Sequence, residues 1–479
     1  MSRRERHHGT HDPIRSPDRS ALHSRRSFLR LSAATAVGAV LAPRRARAES
    51  AREPHPADLP EDAAAFPLGV AAGAVDVDGA ALWTRYHGSA RLRLVVWRGD
   101  GADERARWRQ VLSQDHVAQS DAPLLVPVDG LQPHAEHRYA FYVVEGGQPV
   151  RRSRVGRFKT AAPADALVPV TLGATCCTMN GMDQRVLQAA GARRDLDALI
   201  QLGDTVYADG SKTPADYRAR WADNLGKAGY QALRASTGLY ATWDDHEVDN
   251  DWDPETVAPE KLAAARDAFF EHMPICRQDG CPERIWRKQR FGRTVELFML
   301  DSRSERVRSA SPKKYLGDEQ MAWLKRGLQE SDAHFKVIAN SVPIASFPTM
   351  FATSVKDRWE TFPEARTEIL SFIEGENIPG VLWLAGDFHM AMIGRVSAHG
   401  PGSRSLEVLA GPGAQIGHPF VAWLNGNKQY DWWSTTNNVT ALHFDPHKDT
   451  VDIRFHDEGN RVFHRAAYRR RASTGFEKA

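Results

Sequence analysis

The chain has 479 residues, of which 42% are apolar and 26% are charged, with 36 Gly and 27 Pro. This length allows two or three domains of roughly 150 residues, and the composition is that of a globular protein. A disulfide-stapled miniprotein, a collagen-like chain and a disordered chain are excluded. Residues 1–48 hold 11 arginines and three acids, which leaves 52 basic and 57 acidic residues in 49–479. We predict no specific nucleic-acid binding, because the basic excess lies in that first segment.

Residues 1–48 have the three parts of an export signal. The basic stretch at 24–30 reads Ser-Arg-Arg-Ser-Phe-Leu-Arg, a weakly apolar run spans 31–41, and Ala-Arg-Ala at 46–48 is a small-x-small cleavage site. The apolar run is shorter than the roughly 20 residues that span a bilayer, so we predict no transmembrane segment. The paired arginines resemble the twin-arginine type of signal, which implies folded export through the twin-arginine translocase to the periplasm or the cell exterior. The alternative is a disordered basic arm.

Residues 49–65 are rich in Ala, Pro and acids, which is typical of a linker. Short apolar runs at 80–84, 92–97 and 138–144 then alternate with turn residues. This period-two pattern predicts a small antiparallel β-sandwich of the fibronectin-III type over residues 66–162. The Ala-Ala-Pro-Ala stretch at 161–164 marks a boundary, after which residues 163–479 form the second domain.

In the second domain, six apolar runs each end in polar side chains. These runs precede Cys176, Asp204, Asp244, Asp301, Asn340 and Asp387. Helix-like stretches lie between them, at 259–272 and 318–331 for example. Buried strands that alternate with helices predict an α/β fold in which ligands bind beyond the carboxyl ends of the strands. The six polar clusters are therefore expected to converge on one edge of the sheets.

Three of these strand ends are rich in acids and histidine: Gly203-Asp204, the stretch 244–247, and Gly386-Asp387 with His389. Clustered carboxylates repel one another unless cations neutralise them, so the pattern predicts a metal site with more than one ion. Carboxylate oxygens suit hard ions such as Ca²⁺, Mg²⁺ or Mn²⁺.

A thiolate from Cys176 and a phenolate from Tyr207 instead favour ferric iron. Cys176 is preferred to Cys177 because it directly follows the apolar run. The alternatives are a buried small cysteine, a core tyrosine and turn or helix-capping roles for the acids. Two further cysteines, Cys276 and Cys281, bracket a turn-like loop, and the sequence leaves open whether they form a disulfide.

Four motifs together resemble the PhoD-type alkaline phosphatases, a branch of the purple-acid-phosphatase-like metallophosphoesterases. They are Gly-Asp-x-x-Tyr at 203–207, Trp-Asp-Asp-His-Glu-Val-Asp-Asn at 243–250, Leu-Asp-Ser-Arg at 300–303 and Gly-Asp-x-His at 386–389. The stretch at 243–248 is the most specific, whereas Gly-Asp-x-x-Tyr fits the wider superfamily. The resemblance covers nearly the whole chain, since these phosphatases also have a twin-arginine signal and a fibronectin-like domain that begins much like residues 66–71.

The resemblance implies two packed β-sheets flanked by helices, with ferric iron and one or two Ca²⁺ at the strand ends. Carried over by motif, Cys176 and Tyr207 bind iron and Asp204 bridges iron and calcium. The resemblance also implies that Asp245 binds metal at a position where the superfamily has Asn, and that His246 contacts the phosphate. Asp387 and His389 are the remaining metal ligands that it implies. Asn340 stands near the position where purple acid phosphatases have a ligand histidine, which fits a second site that prefers Ca²⁺.

The expected activity is metal-dependent hydrolysis of phosphate monoesters or diesters in an exported protein. A metal-bridging hydroxide held by Asp204 would attack in line, and His246 or Ca²⁺ would stabilise the departing alkoxide. Arg303 is either a clamp for the phosphate oxygens or simply a partner of Asp301. Two other functions remain open: a phosphodiesterase acting on teichoic acid or phospholipid headgroups, and a secreted, non-catalytic binding protein with a structural metal site.

Overall fold

A computed structural model describes residue 55 and residues 58–99, 108–348, 356–419 and 421–479. The predicted export signal, and with it the twin-arginine motif, lies outside these residues. Residues 50–479 form one compact unit. Within the described ranges, no helix combines the length and the apolar character needed to cross a membrane.

The first half of the described chain is rich in strands. In chain order, these strands are β1 (Val70–Gly73), β2 (Ala80–Arg85), β3 (Arg91–Arg98), β4 (Arg109–Val117), β5 (Pro123–Val128), β6 (Glu136–Glu145), β7 (Gln148–Arg152), β8 (Gly156–Lys159), β9 (Val170–Thr178), β10 (Ala198–Leu202) and β11 (Gly238–Thr242). The later strands are β12 (Arg287–Phe291), β13 (Val295–Met299), β14 (Phe335–Asn340), β15 (Val381–Ala385), β16 (Ala391–Arg395), β17 (Leu406–Leu409), β18 (Pro412–Ala414), β19 (Tyr430–Ser434), β20 (Val439–Asp445), β21 (Thr450–His456), β22 (Val462–Arg470) and β23 (Phe476–Lys478).

The α-helices of the described residues lie between β9 and β15. They are α1 (Arg185–Gly191), α2 (Pro214–Leu225), α3 (Ala228–Arg234), α4 (Pro259–His272), α5 (Asp318–Glu330) and α6 (Pro363–Gly375), with short 3₁₀ turns at Trp359–Thr361 and Val421–Leu424. Helix α2 begins with a capping box in which Thr213 and Asp216 satisfy each other's backbone N–H groups. The helical stretches expected at 259–272 and 318–331 are confirmed as α4 and α5.

The strands form three sheets in the described residues. Sheet I runs β23-β22-β21-β20-β9-β10-β11-β1-β2-β5, with β18 also paired to β9. Sheet II runs β12-β13-β14-β15-β17-β16-β19, and sheet III runs β4-β3-β6-β7 with β8 on β6. Strands β9, β10 and β11 are parallel in sheet I, as are β13, β14, β15 and β17 in sheet II. Their carboxyl ends therefore lie at one edge of each sheet.

Sheets I and II pack face to face, and helices cover their outer faces. One buried cluster joins side chains of both sheets, among them Leu172, Ile200, Leu202, Leu297, Val337 and Leu384. Leu199 points the other way and packs with helices α1 to α4, while Ile338 packs with α5 and α6. Alternate residues of a strand face opposite sides, and here both sides are apolar, which is typical of strands covered on both faces. This is the layered α/β architecture that the sequence pattern predicts.

The strands predicted within 66–162 are present, but they do not form a closed, separate sheet pair. Strands β1, β2 and β5 extend sheet I, because β1 pairs in parallel with β11 through Ala72 opposite Gly238 and Gly73 opposite Leu239. The remaining strands, β3, β4, β6, β7 and β8, make up sheet III. Leu94 and Phe141 of sheet III share a buried cluster with Val70 of sheet I. The two sets of strands therefore pack on each other, and one of them is continuous with the rest of sheet I.

His272, at the end of α4, is expected to make the fold sensitive to acid. Its ring stacks on Trp221 with centroids 5.6 Å apart, its Nδ1 lies 2.8 Å from the Ala268 carbonyl oxygen, and burial lowers its pKa to about 3. The unfolded chain, with a pKa of about 6.5, gains a proton that the folded chain lacks, so stability falls as pH drops from about 6.5 towards 3. The loss from this group is about 2 kcal/mol at pH 5. Urea unfolding at pH 7.5 and pH 5 should show that His272→Gln loses about 2 kcal/mol less than wild type, and equal losses would contradict this.

Candidate metal centre

Carboxylates from both parallel sheets meet where the strands end. Asp204 follows β10, Asp244 and Asp245 follow β11, and Asp387 follows β15. A ligand oxygen of each lies within 4.8 Å of the others. Convergence of these strand ends is confirmed for the acids of β10, β11 and β15. Asp301, after β13, instead accepts a hydrogen bond from the Trp243 indole at 3.0 Å.

A thiol and an imidazole lie on the other side of Asp204. Cys177, Asp204 and His389 form a second group whose ligand atoms lie within 4.8 Å of one another. The Cys177 thiol donates to Asp204 Oδ2 at 3.4 Å, and Tyr207 Oη lies 3.3 Å from His389 Nε2. The predicted residues Asp204, Tyr207 and His389 are thus brought together, and Tyr207 extends the set by a phenol oxygen.

The structure groups Cys177, rather than the predicted Cys176, with Asp204 and His389. The Cys176 thiol lies 3.3 Å from the Ala410 carbonyl oxygen and belongs to none of the candidate metal-binding groups in the described residues. Strand β9 continues to Thr178, so Cys176 does not stand at the end of the strand. Cys177 also has a left-handed backbone with φ of 48°. The thiol that faces Asp204 is therefore that of Cys177.

Unusual backbone conformations cluster at these positions. Asp204, Asp387 and His389 have φ values of 53°, 64° and 48°, which non-glycine residues rarely adopt. Each such residue costs on the order of 1–3 kcal/mol, and strain of this kind concentrates at functional sites. Gly203 before Asp204 has φ of 93°, and a Cβ there would lie 2.5 Å from the Asp244 Cβ. The Gly-Asp sequence is therefore required by the sharp turn that aims the carboxylate.

Glu247 joins the loops after β10 and β11, a role that was not predicted for it from the sequence. Its carboxylate accepts backbone N–H groups of Asp204 at 3.0 Å, Thr205 at 2.5 Å and Asp244 at 2.9 Å. Burial raises the pKa of Glu247 to about 7, although these N–H donors oppose the shift. The position of Glu247 within the motif at 243–248 is the feature of the sequence that could have indicated this role.

His246 is held by an acid that sequence reasoning also missed. Its Nδ1 lies 2.8 Å from Asp209 Oδ2, and its ring packs on Tyr207 with centroids 4.0 Å apart. Burial by itself would lower the pKa of His246, but the Asp209 hydrogen bond and the charge of Asp245 raise it to about 9. His246, Asp204 and Asp245 also form one of the candidate metal-binding groups. Asp209 lies in the loop that follows Asp204, and this position is the only feature of the sequence that could have indicated its contact with His246.

Arg303 occupies neither of the positions predicted for it. Its guanidinium is 1% exposed and lies 2.6 Å from Asp244, 2.8 Å from Asp357 and 3.4 Å from Asp245. Only its backbone N–H reaches Asp301, at 3.1 Å. The predicted phosphate clamp is therefore corrected: three buried carboxylates surround the guanidinium, and Arg303 supplies their countercharge.

The donor atoms fit bound cations. Asp204 Oδ1 and Asp244 Oδ2 are buried without a hydrogen-bond partner, and orphaned acceptors of this kind are costly and rare. Burial, followed by the neighbouring Cys177 and the charges of Asp245 and Asp244, raises the pKa of Asp204 well above its usual range. Burial and the charges of Asp244 and Asp245 do the same to the pKa of Asp387. Several buried carboxylates with free lone pairs therefore favour cation binding at this site.

The two adjacent cysteines give a matched test of the ligand set. Cys177→Ser is expected to weaken binding of the metal beside Asp204 by about 100-fold or more, since loss of even an outer partner of a metal ligand costs about 10- to 100-fold. Cys176→Ser should retain wild-type metal content, because its side chain faces Ala410. Metal-to-protein ratios of the two purified variants provide the readout. Normal metal content in Cys177→Ser with loss in Cys176→Ser would contradict the assignment.

Fold and site together define a class of protein, an α/β sandwich with a candidate multi-metal centre at the strand ends. The family model of PhoD-like phosphatase matches residues 173–422, and the model of the PhoD-like phosphatase N-terminal domain matches residues 50–162. The chain therefore belongs to the PhoD-like phosphatase family, which confirms the resemblance carried by the four motifs.

Individual proteins are similar to this chain in sequence or in fold. Alkaline phosphatase D of Bacillus subtilis (strain 168) is 29% identical over 390 residues, which span 68% of this chain and 64% of that relative. The fold is similar to a solved structure of PhoD, with a TM-score of 0.74 and 23% identity over 86% of this chain and 92% of that one. The fold is also similar to that of a purple acid phosphatase from yellow lupin (Lupinus luteus) seeds, with a TM-score of 0.61 and 12% identity. The match covers 85% of this chain and 74% of that one.

Proposed function

We propose that this protein is a metal-dependent phosphoesterase that hydrolyses phosphate monoesters, diesters or both. The observation that carries the proposal is the meeting of four aspartates from two sheets, three of them buried, and two of these, Asp204 and Asp244, with a buried oxygen that has no hydrogen-bond partner. A phosphate ester is anionic, so a site of this composition accepts it only when cations outweigh the carboxylates. Membership of the PhoD-like phosphatase family and the likeness to alkaline phosphatase D support the same reaction class.

The ligand types divide the centre into two parts. Cys177 and Tyr207 offer soft and phenolic donors that suit ferric iron, whereas the oxygens of Asp244, Asp245 and Asp387 suit one or two Ca²⁺. Asp204 belongs to three of the candidate groups and is the natural bridge between the two parts. When bound, such ions screen the phosphate charge and lower the pKa of a coordinated water.

The role of His246 in the proposed reaction is to stabilise the departing alkoxide. Asp209 engages its Nδ1, so its Nε2 is left to donate to an ester oxygen. The stacked Tyr207 ring fixes the plane of the imidazole. Asp209 thus sets both the orientation and the tautomer of His246, in the way an acid partner commonly orients a catalytic histidine.

The proposal extends to export and domain organisation. Residues 1–48 serve as a twin-arginine signal and 49–65 as a linker, and the twin-arginine translocase carries the folded protein to the periplasm or the outside of the cell. Residues 66–162 form a fibronectin-III-like sandwich, and residues 163–479 form the catalytic domain. Folded export allows the metals to be loaded before the protein crosses the membrane.

A paired assay tests the reaction and its substrate class. Rates on p-nitrophenyl phosphate and bis(p-nitrophenyl) phosphate compare a monoester and a diester with the same leaving group. Hydrolysis of at least one is expected, and hydrolysis of the diester alone would assign a phosphodiesterase. Iron held by Tyr207 and Cys177 should also give a visible charge-transfer band. A metal-loaded protein that hydrolyses neither ester would overturn the function, and a colourless, iron-free but fully active enzyme would overturn the iron assignment.

A further inference from the structure

Two exposed apolar side chains lie beside the metal centre. Met179 is 38% exposed and Ile416 is 70% exposed, whereas apolar side chains of this size are most often buried. Met179 directly follows β9, and Ile416 lies two residues after β18, which pairs with β9. We call these two residues the apolar rim.

Backbone pairing brings the two segments of the apolar rim together. Thr178, the last residue of β9, lies opposite Ala414, the last residue of β18. The N–H of Met179 then donates to the Ala414 carbonyl oxygen at 2.9 Å. The segments that carry Met179 and Ile416 therefore adjoin, which sets the rim apart from apolar residues that are scattered singly over a surface.

Both segments of the rim are hydrogen-bonded to Tyr207. Asn180, next to the first rim residue, accepts the Tyr207 backbone N–H through its Oδ1 at 3.0 Å. Gln415, next to the second rim residue, hydrogen-bonds the Tyr207 phenol with its side chain. The Tyr207 ring in turn packs on His246, with centroids 4.0 Å apart. The rim therefore lies close to the imidazole that is proposed to stabilise the departing alkoxide.

The Ile416 segment is also tied to a predicted metal ligand. The backbone of Ile416 hydrogen-bonds the His389 imidazole, and the N–H of His418 donates to the His389 carbonyl oxygen at 3.2 Å. Metal-binding histidines almost always donate their other ring N–H to a carboxylate, a backbone carbonyl or water, which fixes the orientation of the ring. These bonds hold the Ile416 backbone in place relative to the metal centre, so its exposed side chain provides preformed apolar surface there.

We propose that the apolar rim is a leaving-group subsite, in which Met179 and Ile416 contact an alkyl or aryl body on the departing alcohol of the ester. This inference rests on the proposed phosphoesterase function and deepens it, because it names the class of ester that the site prefers. Esters of apolar alcohols bury their carbon chain against the rim. Esters of highly hydroxylated alcohols, such as sugars, place polar groups there and gain nothing from the contact.

The size of the preference follows from the area that the rim can cover. A fully buried methylene group raises affinity about four-fold, and a chain that lies on a surface buries about half of its area, so each added methylene should raise affinity about two-fold. The metal ions hold the phosphoryl group in every ester alike. Chain length at a constant headgroup therefore isolates the contribution of the rim.

Calorimetric titration of the metal-loaded enzyme with methyl-, butyl- and hexylphosphonate tests the subsite. These probes share one headgroup, and their C–P bond is not an ester bond. The test variant is Met179→Ser/Ile416→Ser. Its matched control is Val111→Ser/Val117→Ser, which removes two exposed apolar side chains from β4 in sheet III. Met179→Leu/Ile416→Leu keeps the apolar character of the rim and separates the loss of apolar surface from a change in local structure.

In wild type, in the control and in the leucine variant, affinity is expected to rise at least about ten-fold from methyl- to hexylphosphonate. In the serine variant the rise should be less than about three-fold. An equal rise in wild type and the serine variant would overturn the proposal. So would a loss of the rise in the leucine variant or the control, affinity independent of chain length in wild type, or no binding of any phosphonate.

Hydrolysis of p-nitrophenyl phosphate and its diester, measured on the same preparations, keeps the two proposals apart. A wild-type protein that hydrolyses either ester without showing the chain-length effect lacks the rim subsite, and its phosphoesterase function stands. A protein that shows the chain-length effect and hydrolyses neither ester fails as a phosphoesterase.

Discussion

Asp204→Asn is expected to lower turnover on the order of 10³-fold or more, which corresponds to at least about 4 kcal/mol of activation free energy. Asp204 is shared by three of the candidate metal-binding groups, and its Oδ1 is buried without any other partner. Asparagine preserves the shape of the side chain and one oxygen but removes the charge that a bridging ligand supplies. Metal content should fall together with turnover.

The same substitution should not harm the metal-free fold. In wild type, burial and the neighbouring Cys177, Asp245 and Asp244 disfavour an ionised Asp204. Removing that charge relieves repulsion, so metal-free Asp204→Asn is expected to unfold at the same or a higher temperature than metal-free wild type. Asp279→Asn, at an exposed position in the 276–281 loop, is the matched control and should behave as wild type throughout. Wild-type turnover in Asp204→Asn would refute the assigned role of this aspartate.

Arg303→Met is expected to be the most destabilising single change at the site. The side chain has a similar length, but three buried carboxylates lose the guanidinium that lies 2.6–3.4 Å from them. Removing one partner of a buried ion pair costs about 3–5 kcal/mol because it leaves uncompensated charge. Urea unfolding of the metal-free variant measures this loss.

An exposed arginine supplies the control for this prediction. Arg461 pairs with Asp457 at 2.8 Å, but its side chain is 81% exposed, so Arg461→Met should lower the free energy of unfolding far less than Arg303→Met. Arg303→Lys keeps the charge but not the planar fork and should lie between the two. A loss below about 1 kcal/mol in Arg303→Met would show that Arg303 is not the countercharge of these carboxylates.

Local sequence patterns were sufficient for much of the fold. The apolar run before Asp204 corresponds to β10, and the helical spacing at 259–272 corresponds to α4. Both predictions depend only on residues close together in the sequence. The spacing of apolar residues reflects which face of a strand or helix is buried. The convergence of Asp204, Asp245 and Asp387 also followed, since parallel strands end at one edge.

What the sequence did not reveal depended on long-range geometry. The Cys177 thiol faces Asp204 because of where β9 ends and because Cys177 has a left-handed φ. Neither feature can be predicted from the local sequence. Arg303 meets Asp244 and Asp357, which are 59 and 54 positions away, and Asp357 belongs to no motif. The joining of β1 to β11 rests on two residue pairs, too few to produce a recognisable pattern.

Phosphoester hydrolysis is expected to depend on metal ions held by the strand-end carboxylates. The most direct measurement is the metal-to-protein ratio of the folded enzyme, followed during stepwise chelation beside its rate on p-nitrophenyl phosphate and its diester. We expect hydrolysis to fall in step with metal loss and to return when the metals are restored. Undiminished hydrolysis by metal-free protein would contradict the claim, as would a fully metal-loaded protein that hydrolyses neither substrate.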